Sequence, residues 1–277
     1  SANIPIGLPK NIEIIRCDIT NKKEIENIKV NNVDAVIHLA AQSSGPKSFE
    51  IPYIDINLNI VGTLNIINLC ISNSIKRILF ASSFVVYGNS VDNFSNPIKE
   101  ESACNPNSIY ASSKLYCENL LKCYAQPHGV SWNALRMFNV YGPGQDITKP
   151  DQGVVGIFLN MMLQSNEIIV KGSLDRFRDL IFIDDVIDAW ILVLESNHVN
   201  CSFNIGTGSK IKFSELIYSI GEALNTNDLL VKEVGVTPGD IKGCFADITK
   251  IYECTGFKPK FDFKSGIKKM VSYYTTK

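Results

Sequence analysis

Residues 76–83 read KRILFASS: two cations, four apolar residues, then paired serines. An uninterrupted apolar run with polar flanks is a strand buried on both faces, and such strands belong to parallel sheets covered by helices. Serines at its end are informative because open α/β sheets bind ligands beyond the carboxyl ends of their strands.

Outward from this stretch, apolar runs and helical patterns alternate. NIEIIRCDI (11–19) and VDAVIHLAA (33–41) read as strands, with the polar helix NKKEIENIKV (21–30) between them. LNIVGTLNIINLCISN (58–73) has helical apolar spacing and precedes KRILFASS; SIYASSKLYCENLLKCYAQ (108–126) is a helix after it, and VSWNALRMFNVYG (130–142) a further strand. The alternation predicts right-handed βαβ crossovers and an α/β fold with a doubly wound, Rossmann-like parallel sheet. Beyond Gly142 the pattern loosens: VVGIFLNMMLQ (154–164) and KFSELIYSIGEAL (212–224) are helical, and RDLIFIDDVIDAWILVLES (178–196) is a strand and then a helix capped by Asp184 or Asp185. Residues 143–178 and 207–277 are expected to form a smaller layer on a main domain of 1–142 and 179–206.

Composition narrows the function classes. Of 277 residues, 45% are hydrophobic and 20% charged, with a formal net charge of −1, and no basic stripe marks a nucleic-acid or anionic-membrane partner. No uninterrupted apolar run reaches the length of a membrane span. Eight cysteines without Cys-x-x-Cys spacing and three scattered histidines, His38, His128 and His198, form no metal-ligand pattern. Reduced, packing cysteines and a cytoplasmic setting are the expectation. His38 lies in an apolar strand and reads as a core residue rather than a base.

Within SIYASSKLYCE (108–118), Tyr110 and Lys114 share one helix face. A nearby ammonium favours phenolate, which would make Tyr110 a usable acid/base. With 10 tyrosines in the chain, roughly one Tyr-x-x-x-Lys arises by chance, so the motif needs its context.

That context is a set of motifs in order: HLAA (38–41), NIVGTLN (59–65), SSFVVYG (82–88), YASSK (110–114), RMFNVYGPG (136–144), RDLIFIDDV (178–186), FNIGTG (203–208) and PGDIKGCFADITK (238–250). Over nearly its whole length the chain resembles the extended short-chain dehydrogenase/reductases, in particular the NAD-dependent nucleotide-sugar epimerases and dehydratases. The resemblance implies NAD as cofactor, a nucleotide-sugar substrate and a homodimer. It implies Tyr110 as catalytic acid/base, Lys114 as its partner at the nicotinamide ribose, and Ser83 on the same sugar oxygen. Asp18 and Ile19 match adenine contacts; Leu39, Ala40, Ala41, Asn59, Ser82 and Phe138 match further cofactor positions. Asn139, Arg178 and Asp240 match substrate contacts, the first two at the nucleotide pyrophosphate. No metal is implied.

Three departures matter. The family's strand followed by Gly-x-x-Gly-x-x-Gly, which seats the cofactor pyrophosphate at a helix N-terminus, does not occur in the sequence. The expectation is that another segment or chain supplies it, that these residues alone make an impaired cofactor site, and that the strand at 12–19 has no neighbour. Phe84 and Val85 occupy the positions of the dehydratases' Asp-Glu pair, which argues against dehydration and decarboxylation. Thr237 stands where the family has arginine before x-Gly-Asp, removing one phosphate contact. The expected reaction is 4-epimerisation of a nucleotide sugar, of UDP-glucose/galactose type, through a transient 4-keto sugar. A 4-keto-sugar reductase and a catalytically idle nucleotide-binding protein are the alternatives.

Overall fold

In chain order the elements begin with α1 (Lys22–Glu26), β1 (Ala35–His38), α2 (Gly45–Glu50), α3 (Pro52–Asp55), a π-helical turn (Ile56–Val61), α4 (Gly62–Ser72) and β2 (Arg77–Ser83). A 3-10 turn (Phe84–Tyr87) leads on to α5 (Ile109–Leu120), β3 (Ser131–Met137), β4 (Asn139–Tyr141), α6 (Val154–Gln164), β5 (Glu167–Lys171), β6 (Phe177–Arg178), β7 (Leu180–Phe182) and α7 (Ile183–Glu195). The last elements are β8 (Cys201–Ile205), β9 (Ile211–Lys212), α8 (Phe213–Leu224), β10 (Leu230–Val234), α9 (Thr249–Thr255) and α10 (Phe263–Thr275). The computed structural model describes residues 8–9, 11–88, 96–150, 153–226, 228–235 and 242–276.

The central sheet is parallel throughout, in the order β1–β2–β3–β8. Its middle strand β2 is buried on both faces, as its apolar run requires. Ile78 and Phe80 pack with Ile66, Ile67 and Cys70 of α4 and Cys117 of α5 on one face. Leu79 and Ala81 pack with Val186, Ala189 and Trp190 of α7 and Phe203 of β8 on the other. Each of these large side chains stabilises the fold by about 1.5–3 kcal/mol relative to exposure. The fold class is therefore the Rossmann-like one expected.

Four local expectations change. Residues 11–19 form no strand: among the described residues nothing pairs with the outer edge of β1, and Ile12, Ile14 and Ile15 remain about half exposed. Without ladder bonds an apolar run has no reason to stay extended. The predicted strand 130–142 is two strands, because β3 pairs with β8 as far as Met137 and from Asn139 onward β4 pairs with β7 instead. Helix α7 is not capped by Asp184 or Asp185; Phe182 precedes it, and the buried Asp185 instead accepts from the backbone N–H groups of Lys260 and Phe261. Finally, the continuous helical run Pro52–Ser72 is long and apolar enough to cross a membrane, although its α4 part lays Ile66, Ile67 and Cys70 on the sheet.

A second apolar cluster gathers the later elements. Phe158, Leu159 and Met162 of α6, Leu216, Ile217 and Ile220 of α8, and Ile267, Met270 and Val271 of α10 pack together beside β5. Pairings β5–β10 and β6–β9 border it.

Truncating the centre of β2 should be costly. Leu79→Ala is expected to lose about 2–5 kcal/mol in urea denaturation, whereas Ile187→Ala, at a side chain 50% exposed on α7, should lose under about 1 kcal/mol.

Candidate active site

At the carboxyl ends of β2 and β3 lies a cleft of about 550 Å³, whose walls include Ser82, Ser83, Tyr110, Phe138 and Asn139. Its position follows from the topology: β2 delivers the two serines, the break after β3 delivers Phe138 and Asn139, and α5 crosses behind. Ser108 starts α5 in place, its hydroxyl accepting from the Ala111 N–H (3.1 Å) as an N-cap. Phe84 and Phe138 stack, with centroids 5.2 Å apart, and Val85 completes that side. This wall carries no group that can move a proton.

The sequence reading brought Tyr110 and Lys114 together as phenol and counter-charge, but here burial outweighs the charge. Tyr110 is buried, and desolvation pushes its phenol up to about 12; a hydrogen bond with the Ser83 side chain opposes that rise, and the Asp55 carboxylate adds to it. Lys114 is buried too, with its ammonium pulled down to about 8 by desolvation, against the pull of Cys117, Asp55 and Glu118. Its Nζ donates to the Ala81 carbonyl (2.8 Å) and lies 5.8 Å from the centre of the Tyr110 ring. Ser83 thus favours phenolate while burial opposes it.

The remaining predicted positions divide into groups. Asn59, buried in the π-helical turn, accepts from the Gln42 N–H (2.8 Å) and donates to the Ser113 hydroxyl (2.9 Å). Asp18 is exposed and closes a turn, accepting from the Thr20 N–H and hydroxyl (2.9 and 2.8 Å); Asn21, not Asp18, caps α1. Ile19 leans over Gly62, where an added Cβ would meet its Cδ1 at 2.6 Å. Leu39 and Ala40 are exposed at the end of β1 and Ala41 is half-buried, a shelf of small and apolar surface beside the cleft. Asn139 donates through its side chain to the Asp179 carbonyl (3.2 Å). Arg178 does not line the cleft: it is buried, donates to the Phe177 carbonyl (2.7 Å) and stacks 5.3 Å from the Phe213 ring centre. Asp240 and Thr237 lie outside the described residues.

Two polar clusters escaped the sequence reading. Gln42 directly follows HLAA, and its amide donates to the buried Asp55 carboxylate (2.8 Å); the strand-end chemistry read at 40–41 continues one residue further. Beneath the cleft, the Glu118 carboxylate binds Arg136 through two contacts of 2.7 and 3.0 Å and accepts from the Ser82 hydroxyl. Glu118 stands four residues after Lys114 on the same face, a signal that spacing alone offered. Arg136 also donates to the Tyr87 hydroxyl and the Glu100 carbonyl (both 3.0 Å), and Tyr87 donates to Asn204 (2.6 Å).

His38 is the core residue expected: it is buried, with its Nε2 3.0 Å from the Thr63 hydroxyl. Burial, then the Lys114 charge, holds it down to about 4 from the ordinary 6.5. The folded state thus takes up this proton later than the unfolded chain, so stability is full above about pH 6.5 and falls as pH drops toward 4. The expected loss is about 3 kcal/mol; denaturation curves of His38→Gln should lack that part of the slope.

A cleft bearing hydroxyls and a phenol, with a buried ammonium behind it, at the carboxyl edge of a parallel sheet places the protein among the doubly wound α/β enzymes. Comparison with known proteins specifies the group. Residues 2–206 match the model of the NAD-dependent epimerase/dehydratase family. A putative UDP-glucose 4-epimerase of Methanocaldococcus jannaschii is 34% identical over 98% of this chain and 88% of its own. The crystal structure of Thermotoga maritima UDP-glucose 4-epimerase with UDP-glucose superposes with a TM-score of 0.91 at 32% identity, covering 97% of this chain and 86% of that one. UDP-glucuronic acid decarboxylase 3 of Arabidopsis thaliana is 31% identical over 96% of this chain and 75% of its own. The chain belongs to the NAD-dependent epimerase/dehydratase family.

Proposed function

We propose that this protein is a nucleotide-sugar 4-epimerase of UDP-glucose/galactose type. The observation that carries the reading is the meeting of Ser83 and Tyr110 at one cleft, backed by Lys114 and faced by the proton-inert wall of Phe84, Phe138 and Val85. Decarboxylases and dehydratases occur among the relatives, and that wall supports the epimerase over them.

The residues present fit NAD at its nicotinamide end: Lys114 is buried one turn from Tyr110 with its Nζ on the Ala81 carbonyl, and Leu39 to Ala41 leave an open shelf at the end of β1. Lys114, Asn59, Ser82 and Phe138 would hold that end, and Asp18 and Ile19 the adenine end. Bound NAD supplies the acceptor to which the sugar C4 hydride passes and from which it returns. Ser83 orients the sugar 4-hydroxyl, and Tyr110 Oη takes its proton as the 4-keto sugar forms. After the keto sugar turns over, Tyr110 gives the proton back to the oxygen of the inverted alcohol. Burial holds the phenol up to about 12, and the Ser83 hydroxyl opposes that rise. Asn139, at the cleft wall, and Arg178, buried beside it, are assigned to the nucleotide diphosphate, and Asp240 to another part of the substrate. Residues 143–178 and 207–277, supported by their own apolar cluster, form the sugar-nucleotide part, and 1–142 with 179–206 the NAD part. Exposed Tyr53 and Ile56, with Tyr116 of α5, support a homodimer; eight free cysteines support a cytoplasmic setting.

The test is proton NMR of UDP-galactose incubated with the protein and NAD. Conversion to UDP-glucose without net change in nicotinamide absorbance is expected; stoichiometric NADH or NADPH consumption with a 4-keto sugar would instead identify a reductase. Tyr110→Phe should lower kcat by about 10²–10⁴-fold.

A further inference from the structure

Helix α5 is fastened to the end of β2 at three points on one face. Tyr110 shares the cleft wall with Ser83, Lys114 Nζ meets the Ala81 carbonyl (2.8 Å), and Glu118 accepts from the Ser82 hydroxyl. The four-residue spacing puts all three on successive turns. Only the last point is tied into the rest of the sheet. Arg136 of β3 clasps the Glu118 carboxylate, and the Ser202 hydroxyl of β8 approaches it at 3.4 Å. Arg136 then reaches Tyr87 of the 3-10 turn that carries Phe84 and Val85 into the cleft.

This pair is an expensive way to hold a fold together. Glu118 and Arg136 are 5% and 6% exposed, and taking both charges out of water costs several kcal/mol per ion, so a packed apolar pair would serve stability as well. What an apolar pair lacks is direction. The guanidinium fork fixes the carboxylate in a plane, the carboxylate fixes the Ser82 hydroxyl, and Ser82 is bonded in the chain to Ser83. We propose that Glu118, clasped by Arg136 and Ser82, is the positioning residue that holds the Ser83 hydroxyl against the Tyr110 phenol; this rests on reading that pair as the reacting site.

Glu118→Gln tests it with little change of volume. Its amide turns one acceptor into a donor, so one of the two Arg136 contacts must break, whereas the Ser82 hydroxyl can turn and accept. If Glu118 aligns the reacting groups, kcat for the nucleotide sugar should fall at least about tenfold with KM within about twofold, because displacements near 1 Å are that costly in an aligned site. In a Ser83→Ala background the same change should cost under about twofold further, since there is no hydroxyl left to align. Equal losses in both backgrounds, or an unchanged kcat with only a lower Tm, would overturn the assignment. Should Glu118→Gln fail to fold, Ser82→Ala cuts only the link to β2 and is read by the same comparison. If the parent protein interconverts no nucleotide sugar, the functional reading fails on its own account. Positioning is then decided by the Ser83 Oγ to Tyr110 Oη distance in crystals: growth by roughly 0.5 Å in the variant supports it, and an unchanged distance refutes it.

Discussion

Strand β2 has no face toward water, and most of the architecture answers to that. Ile78 and Phe80 require cover from α4 and α5 on one side, Leu79 and Ala81 from α7 on the other. Satisfying both sides with right-handed crossovers leaves few arrangements of the neighbouring elements. The polar residues that end the strand, Ser82 and Ser83, are thereby driven to the rim of the sheet, where α5 and the break after β3 meet. The site is a by-product of covering a hydrophobic strand completely and then letting the chain turn polar.

Within that site, two effects compete over the tyrosine, and magnitudes decide. A lysine one turn away suggests an acidic phenol. Yet Lys114 spends a hydrogen bond on Ala81, and both groups are desolvated, so the phenol rises while the ammonium falls. Burial penalises whichever form is charged. The serine hydroxyl opposes the rise that burial imposes on the phenol.

Strands and helices with unbroken patterns were legible from sequence, because burial on two faces and helical spacing leave clear marks at 33–41, 76–83 and 108–126. What was not legible depended on partners distant in the chain. The chain changes sheet partner after Met137, from β8 to β7, which no local pattern marks. Of the site, Ser83, Tyr110, Phe138 and Asn139 converge on the cleft, while Arg178 lies against Phe213 outside it. Gln42 and Glu118 stood next to positions that were read, but charge and amide patterns do not announce the buried partners they meet, Asp55 and Arg136.

The π-helical turn at Ile56–Val61 carries a further implication, for heredity rather than chemistry. It widens the helix by one residue, and Asn59 within it reaches both Gln42 and Ser113 while its carbonyl takes the Cys117 thiol. Such bulges are the trace of a single inserted residue and recur at functional sites. Losing one codon here would restore an ordinary helix and swing Asn59 by about 100°, away from both partners. A lineage that had come to rely on this amide could then shorten the segment only by giving up the contact, so the length of the helix would be held under selection as firmly as any side chain on it.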